Sequence, residues 1–545
     1  SSREQDRNAG VTATSSTSPR ASLSVVVLTQ DVEELIHECL ESAKWADEIV
    51  VVDGGSRDRT LAICREFTDR IIERPWPGVS NLQWITGLEA ARGPWVLLLS
   101  SDMRLQPEGE AEIRSAVGSD AYAGYRLPLK NHFLNRWIQH CGWSPDYQLL
   151  LFRKDRGVME PREHGLVKVR GAVGYLHVPL LHDAHRSIAD YVRKTNRYTD
   201  AEVRDQVPTH APFRPRFVVT KMLKNFRKTY WKQRGHLDGM HGLAFCGLMA
   251  FYKFLLYAKQ WERRQPTPTV RFQPAHPMPR QERQATVSAI VLAKDEERRI
   301  GRCLQSLQWV GEIVVVDGES RDRTPEICMQ YGARVVPHAF SGSFAAERNF
   351  GAQHATGEWI LQLDADDVVT EPFRQAVTQL LVNAPECDVY KFQRRSILLG
   401  HPMRCGGWFH YLPNFYRRGR ARYVGLVHER LHGSEKIGVI KAAVDHYPIE
   451  SLSPYVDKQN RYTALAAKEL LETRGVVPLS EVRYQLMKKP LKLFWKSYVK
   501  KQGFREGMHG LVFSILFAWV HFLTWAKYWE LACAPLEDAK TIHEL

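Results

Sequence analysis

The chain has 545 residues, 44% of them hydrophobic, which is enough apolar material for several buried domains and excludes a single small one. A formal net charge of +14 calls for an acidic partner, whether nucleic acid, phosphorylated sugar or anionic membrane. Nine cysteines without a CxxC pair read as small core residues in a reducing compartment, not as disulfides or zinc ligands.

Residues 1–20 form a Ser/Thr-rich polar tail with nothing to bury and without the apolar core of a secretory signal. A β-branched run from Ser24 to Leu28 then predicts a strand, and helical spacing follows through Leu40. A second strand, Glu48 to Val52, ends on Asp53 before a Gly/Ser/Arg/Asp loop. The whole stretch returns at Ser288 with a constant shift of 264 positions and no gap. The shift still holds at Asn196-Arg197-Tyr198-Thr199 and Asn460-Arg461-Tyr462-Thr463, and becomes 268 at Gly239-Met240-His241-Gly242 and Gly507-Met508-His509-Gly510. A period this long is a duplicated domain. The expected organisation is a first copy over 21–264, a proline-rich linker over 265–285, a second copy over 286–535 and a tail over 536–545.

Strands alternating with helices predict an α/β fold, Rossmann-like with a mostly parallel sheet, whose ligand crevice lies at the carboxyl ends of the strands. In the second copy three acidic strand ends converge there: Asp295, Asp317 and Asp364/Asp366. The run Ile360-Leu361-Gln362-Leu363-Asp364-Ala365-Asp366-Asp367 stops on three carboxylates, which a buried strand cannot carry inside its core. They are either solvated loop acids or ligands for a hard divalent cation, Mg²⁺ or Mn²⁺, bound together with substrate phosphates. Asp317 is placed either to accept the N–H of a uracil ring or to close an Asx-turn.

The segments AKDEERRI, EIVVVDGESRDRT, ERNFGAQHATGEWILQLDADD and LVHERL resemble the family 2 glycosyltransferases of GT-A fold, with the nearest likeness to lipopolysaccharide core β-1,4-glucosyltransferases. The resemblance covers nearly all of each copy and implies two tandem GT-A domains, a nucleotide-sugar donor such as a UDP-sugar, a divalent metal and inversion at the anomeric carbon. It implies that Asp317 contacts the base, that Asp295, Arg348 and Asn349 lie along the donor, and that Asp364 and Asp366 hold ribose and metal. The acceptor hydroxyl must lose a proton on the opposite face of the sugar. Glu429 is the first candidate base, and His428 is a candidate for the metal shell, for phosphate or for a buried structural role. The W-x-P-D segment of the family stands in the first copy as Trp143-Ser144-Pro145-Asp146, whereas the second reads Trp408-Phe409-His410-Tyr411, without the acid.

Where the second copy has Asp364, Glu347-Arg348-Asn349 and Glu429, the first has Ser100, Gln83-Trp84-Ile85 and Gly165, while Asp53, Asp102, Asp146 and His164 remain. The first copy has therefore lost the chemistry, or runs it with another donor or without metal.

Each copy ends in a stretch where cations interleave with aromatics, from Lys221 and from Lys488, followed by an apolar helix from Leu243 or Leu511. Lys253, His521 and Lys527 interrupt these runs, so an interfacial position on an anionic membrane is expected rather than a span, with a buried core helix as the other reading. No recognised nucleic-acid module accompanies the basic residues. The sequence thus reads as a hexosyltransferase acting on a lipid-linked core glycan from the cytoplasmic face of a bacterial inner membrane. The alternatives are a polyprenyl-phosphate or exopolysaccharide glycosyltransferase and a noncatalytic glycan- or nucleotide-binding scaffold. Oligomeric state is not legible.

Overall fold

The structure is a computed structural model that describes residues 22–161, 167–206, 213–265, 284–425, 430–433 and 435–532. The expected terminal tails, nearly all of the linker, and His164, His428 and Glu429 lie outside the described residues. The chain divides into two compact units, one running to Tyr257 and taking in residues from Glu530, the other Ala258–Trp529.

In the first unit the strands are β1 (Leu23–Thr29), β2 (Glu48–Asp53), β3 (Ile71–Glu73), β4 (Trp95–Ser100), β5 (Met103–Arg104), β6 (Gly124–Phe133), β7 (Asp146–Arg153) and β8 (Leu180–His185). They lie in the order β3-β2-β1-β4-β7-β6-β8-β5. Helices α1 (Ile36–Ala43), α2 (Thr60–Cys64), α3 (Ser80–Ala90) and α4 (Pro107–Val117) cross between strands, and α5 (Ile188–Gln206), α6 (Arg216–Arg227) and α7 (Gly239–Glu262) follow. β1 pairs in parallel with β2 and β4. Its residues alternate between two cores, Val25 and Val27 on one face and Val26 on the other. A strand buried on both faces must be apolar throughout, which is why the run reads as continuous rather than alternating.

The second unit repeats the plan with β9 (Gln284–Ala293), β10 (Val310–Asp317), β11 (Arg334–Pro337), β12 (Trp359–Asp364), β13 (Asp367–Val369), β14 (Val389–Leu398), β15 (Phe409–Arg417) and β16 (Ile437–Ile449). Their order, β11-β10-β9-β12-β15-β14-β16-β13, is that of the first unit. Its helices are α8 (Ile300–Ser306), α9 (Thr324–Gln330), α10 (Phe344–His354), α11 (Glu371–Val382), α12 (Leu452–Arg474), α13 (Leu479–Trp495) and α14 (Gly507–Ala532). The expected fold class holds: two tandem α/β domains on mixed, mostly parallel sheets.

Both units tie the amino ends of their central strands in the same way. Ser24 donates to Glu48 and accepts from the Gly93 N–H at 2.8 Å. Ser288 donates to Glu312 at 2.7 Å and accepts from the Gly357 N–H at 2.8 Å. A Cβ on either glycine would fall 2.7 Å from the serine oxygen, so only glycine fits.

The apolar helices α7 and α14 carry the segments expected at an interface or in a core. Both are long and apolar enough to cross a membrane, yet 72% and 56% of their most apolar stretches are buried inside the protein. Lys527, which interrupts α14, is 3% exposed and donates to Asn460 Oδ1 at 2.7 Å and Thr463 Oγ1 at 3.0 Å. Those partners account for two residues of the repeated Asn-Arg-Tyr-Thr segment. Asn460→Leu takes a side-chain acceptor from a buried ammonium and is expected to cost about 3 kcal/mol in urea unfolding; a change under about 0.5 kcal/mol contradicts this role.

Candidate active site

The second copy gathers its acids where β12 ends and β13 begins. Asp364 closes β12, Asp366 lies in the turn and Asp367 opens β13. The antiparallel pairing of β13 with β16 sets Asp367 opposite His446. Asp366, Asp367 and His446 thereby bring one ligand atom each to within 4.8 Å of one another. Asp366 and Asp367 are 6% and 2% exposed. His446 Nε2 lies 3.4 Å from Asp366 Oδ1.

Two arginines hold the acids together. Arg348, on α10, donates to Asp364 Oδ1 at 2.8 Å. Arg394, on β14, donates from Nε to Asp367 Oδ1 and from Nη2 to Asp364 Oδ2, both at 2.7 Å, and stands 3.5 Å from Asp366. Burial works to raise the Asp366 carboxyl, but His446 and Arg394 outweigh it and hold it well below the usual carboxylate range. Asp364 is likewise held low against burial, by Arg348 and Arg394. For Asp367 burial prevails over Arg394 and the carboxyl is raised.

Two carboxylates and an imidazole suit a hard or borderline divalent cation such as Mg²⁺ or Mn²⁺. Of the two acids expected on the metal, Asp366 belongs to this group together with Asp367 and His446, while Asp364 meets the two arginines. His446 was missed because it lies far from the acids in sequence. Its signal was the repeat itself, since His182 recurs as His446 at the same shift of 264.

Helix α10 carries Arg348 to Asp364 because Gly351 lets it sit on the sheet; a Cβ there would fall 2.5 Å from Ile290. Asn349 exchanges both ends of its amide with the backbone of Tyr423, at 2.9 Å each, and so ties α10 to the strand Arg422–Val424. Asp317, 4% exposed, accepts from the Ser320 N–H at 3.1 Å and its hydroxyl at 2.6 Å, the geometry of the turn reading. Asp295 is exposed and ties the same loop, accepting from the Arg321 N–H at 2.7 Å.

In the first copy Asp53 repeats the Asp317 turn, with Gly55 and Ser56 N–H groups at 2.8 Å. Asp102 meets His182 at 3.5 Å and Lys194 at 3.6 Å. Asp146 accepts from Asn131 at 3.0 Å and Gln148 at 2.6 Å. Asn131 in turn contacts His182 at 2.6 Å. Met103 and Leu129 stand where the second copy has Asp367 and Arg394.

Comparison with known proteins places the sequence in a family. An uncharacterized glycosyltransferase of Rickettsia felis is 27% identical over 259 residues, covering 45% of this chain and 89% of the relative. The lipopolysaccharide core biosynthesis glycosyltransferase LpsC of Rhizobium meliloti is 26% identical over 260 residues, covering 45% and 92%. Among solved structures, residues 1–349 of S. aureus TarS in complex with UDP-GlcNAc match at 15% identity and a TM-score of 0.24, covering 44% of this chain and 89% of that one. Glucosyl-3-phosphoglycerate synthase from Mycobacterium tuberculosis with Mg²⁺ and UDP matches at 22% identity and a TM-score of 0.19, covering 20% and 44%. The model for glycosyl transferase family 2 matches residues 24–156 and 288–429, once in each copy and over just half of the chain. Matched twice, along the same strands that end on the acids, the protein belongs to glycosyl transferase family 2 and is a glycosyltransferase.

Proposed function

We propose that the second copy transfers a hexose, glucose from a UDP donor, with inversion onto a lipid-linked lipopolysaccharide core glycan. The observation that carries the reading is the group Asp366, Asp367 and His446 at the strand ends, with Arg348 and Arg394 beside it. When bound there, Mg²⁺ or Mn²⁺ would supply positive charge against the charge that builds on a diphosphate leaving group. Arg394, already in the cluster, orients the carboxylates through three contacts. Glu429 is the proposed base that takes the proton of the acceptor hydroxyl.

The likeness to LpsC supports the choice of acceptor class. Exposed Leu491, Trp495 and Phe504, set among Lys488, Lys492, Lys496 and Lys500, support a peripheral seat on an anionic membrane, with the cytoplasmic face as the proposed location. The first copy repeats the pattern with exposed Leu223, Trp231 and Leu237.

UDP release from a panel of nucleotide sugars, with Mg²⁺ or Mn²⁺, tests the assignment. Asp366→Ala is expected to remove turnover, by about 10³-fold, and Asp102→Ala to leave it near wild type. Turnover that survives Asp366→Ala and falls with Asp102→Ala moves the enzyme to the first copy.

A further inference from the structure

Two thiols meet inside the first copy. Cys246, on α7, donates to the sulfur of Cys141 at 3.5 Å, and both residues are buried. Gly235 packs against the pair: a Cβ there would fall 2.7 Å from the Cys141 sulfur and 2.8 Å from that of Cys246. A disulfide bond is about 2.0 Å long, so the sulfurs need to close by only about 1.5 Å, shared between two side chains.

The second copy has neither thiol. The Cys141 N–H donates to Gln233 O at 3.0 Å, and the matching bond to Lys501 O, at 2.7 Å, comes from Gly406. Gln233 and Lys501, like Cys246 and Ser514, stand 268 positions apart. Cys405 falls one place earlier, where the first copy has His140: their N–H groups reach Glu506 and Asp238 at 2.7 and 3.0 Å. The backbone is left-handed at the matched position in both copies, with φ of 62° at Cys141 and 85° at Gly406. A glycine holds that conformation without steric cost and a cysteine does not. The first copy therefore sets one thiol against the backbone preference and places a second thiol opposite it, and strain of this kind points to a use for the side chain.

The thiols are not equivalent. Their mutual hydrogen bond and burial push Cys141 up, with Asp238 behind it at 3.6 Å adding to the effect, whereas the same hydrogen bond lowers Cys246. Cys246 is the first of the two to give a thiolate. Cys141 lies between β6 and β7, and the chain leads from it through Trp143 to Asp146, which lines the strand-end cleft with Asp102 and His182. Trp143 already rests on Phe245, the neighbour of Cys246 on α7, with ring centroids 4.1 Å apart.

We propose that Cys141 and Cys246 form an oxidisable dithiol, which hydrogen peroxide converts into a disulfide that fixes the loop leading to Asp146 onto α7. Burial keeps bulky disulfide reagents from the sulfurs, while peroxide is close to water in size. The Cys246 thiolate attacks one peroxide oxygen and the O–O bond breaks, leaving a sulfenic acid and a hydroxide that takes up the Cys246 proton as water. The Cys141 sulfur then attacks the sulfenic sulfur, the S–S bond forms, the S–O bond breaks, and the hydroxyl leaves as water with the Cys141 proton. Two thiols and one peroxide give one disulfide and two waters; the sulfurs lose two electrons and the peroxide gains them.

Peroxide treatment of the full chain, followed by alkylation in denaturant and peptide mass spectrometry, tests the crosslink. A linked pair of peptides carrying Cys141 and Cys246 is expected, reversed by dithiothreitol. The treated protein is expected to melt about 5 °C higher, and backbone hydrogen exchange over residues 139–146 to slow about tenfold or more. Cys246→Ser, which installs the residue of the second copy, and Cys246→Ala are both expected to remove the linked peptides and the rise in Tm. Thiols that both remain free to alkylate, or a sulfinic acid at Cys246 without a crosslink, overturn the proposal. A crosslink that leaves exchange over 139–146 unchanged overturns the fixing of the loop, and a rise in Tm that persists in both variants belongs to other cysteines and overturns the assignment.

Discussion

His446→Ala is expected to lower nucleotide-sugar turnover by about 100-fold and to raise the Mn²⁺ concentration for half-activity by about 10- to 100-fold. The imidazole lies 3.4 Å from Asp366 and stands across the sheet pairing from Asp367, so removing it takes away one of three donor atoms. Two carboxylates alone still attract a divalent cation but hold it with one bond fewer. His182→Ala, at the matching place in the first copy, is expected to leave turnover within about twofold, because Met103 replaces an acid there and no such donor group is present among the described residues. A Mn²⁺ titration of UDP release separates the outcomes. A lowered maximal rate with an unchanged Mn²⁺ midpoint would show His446 acting on substrate instead of on the cation.

Arg394→Leu, which installs what the first copy carries at Leu129, is expected to destabilise the protein by about 3–5 kcal/mol at pH 7 in EDTA. The guanidinium reaches Asp364, Asp366 and Asp367 together, and without it three acids share a buried corner with less counter-charge. The pH dependence has a definite sign. Asp364 and Asp366 are held below the usual range, so their contribution to stability is present above about pH 4 and is lost as pH falls through their folded values. Arg394 supports part of that depression, so the gap between wild type and variant is widest near neutrality and narrows in acid. Asp367 is raised by burial even with Arg394 beside it, so losing the guanidinium raises it further and adds to the gap near neutrality. Millimolar Mn²⁺ should restore part of the loss, since a ligand that binds only the folded state stabilises it. Urea unfolding at pH 7 and pH 4, with and without Mn²⁺, reads all of this, and equal stability of wild type and variant at pH 7 would refute it.

Much of the fold was legible because strands buried on both faces must be apolar throughout, and two copies of each signal stood 264 positions apart. The acids were legible because charge ends such strands. Their partners were not. Asp367 meets His446 through a strand pairing that spans the whole β14–β15 region, and Arg394 arrives from β14. Local sequence patterns carry no record of contacts closed over such distances. The setting of the apolar helices was not legible for another reason: hydropathy is the same for a helix under lipid and one under protein. What distinguishes them is where a charge such as Lys527 finds its partners, Asn460 and Thr463, in another helix.

The serine–glutamate–glycine tie at the amino ends of the central strands is the same in both copies, while the acids that follow β4 and β12 have diverged. After a duplication, drift in a redundant copy falls on scaffold and chemistry alike. Here the acids after the central strands have been replaced, while the amino ends keep a contact that admits no side chain larger than hydrogen. Whatever chemistry each copy carries, both answer to the same demand to fold.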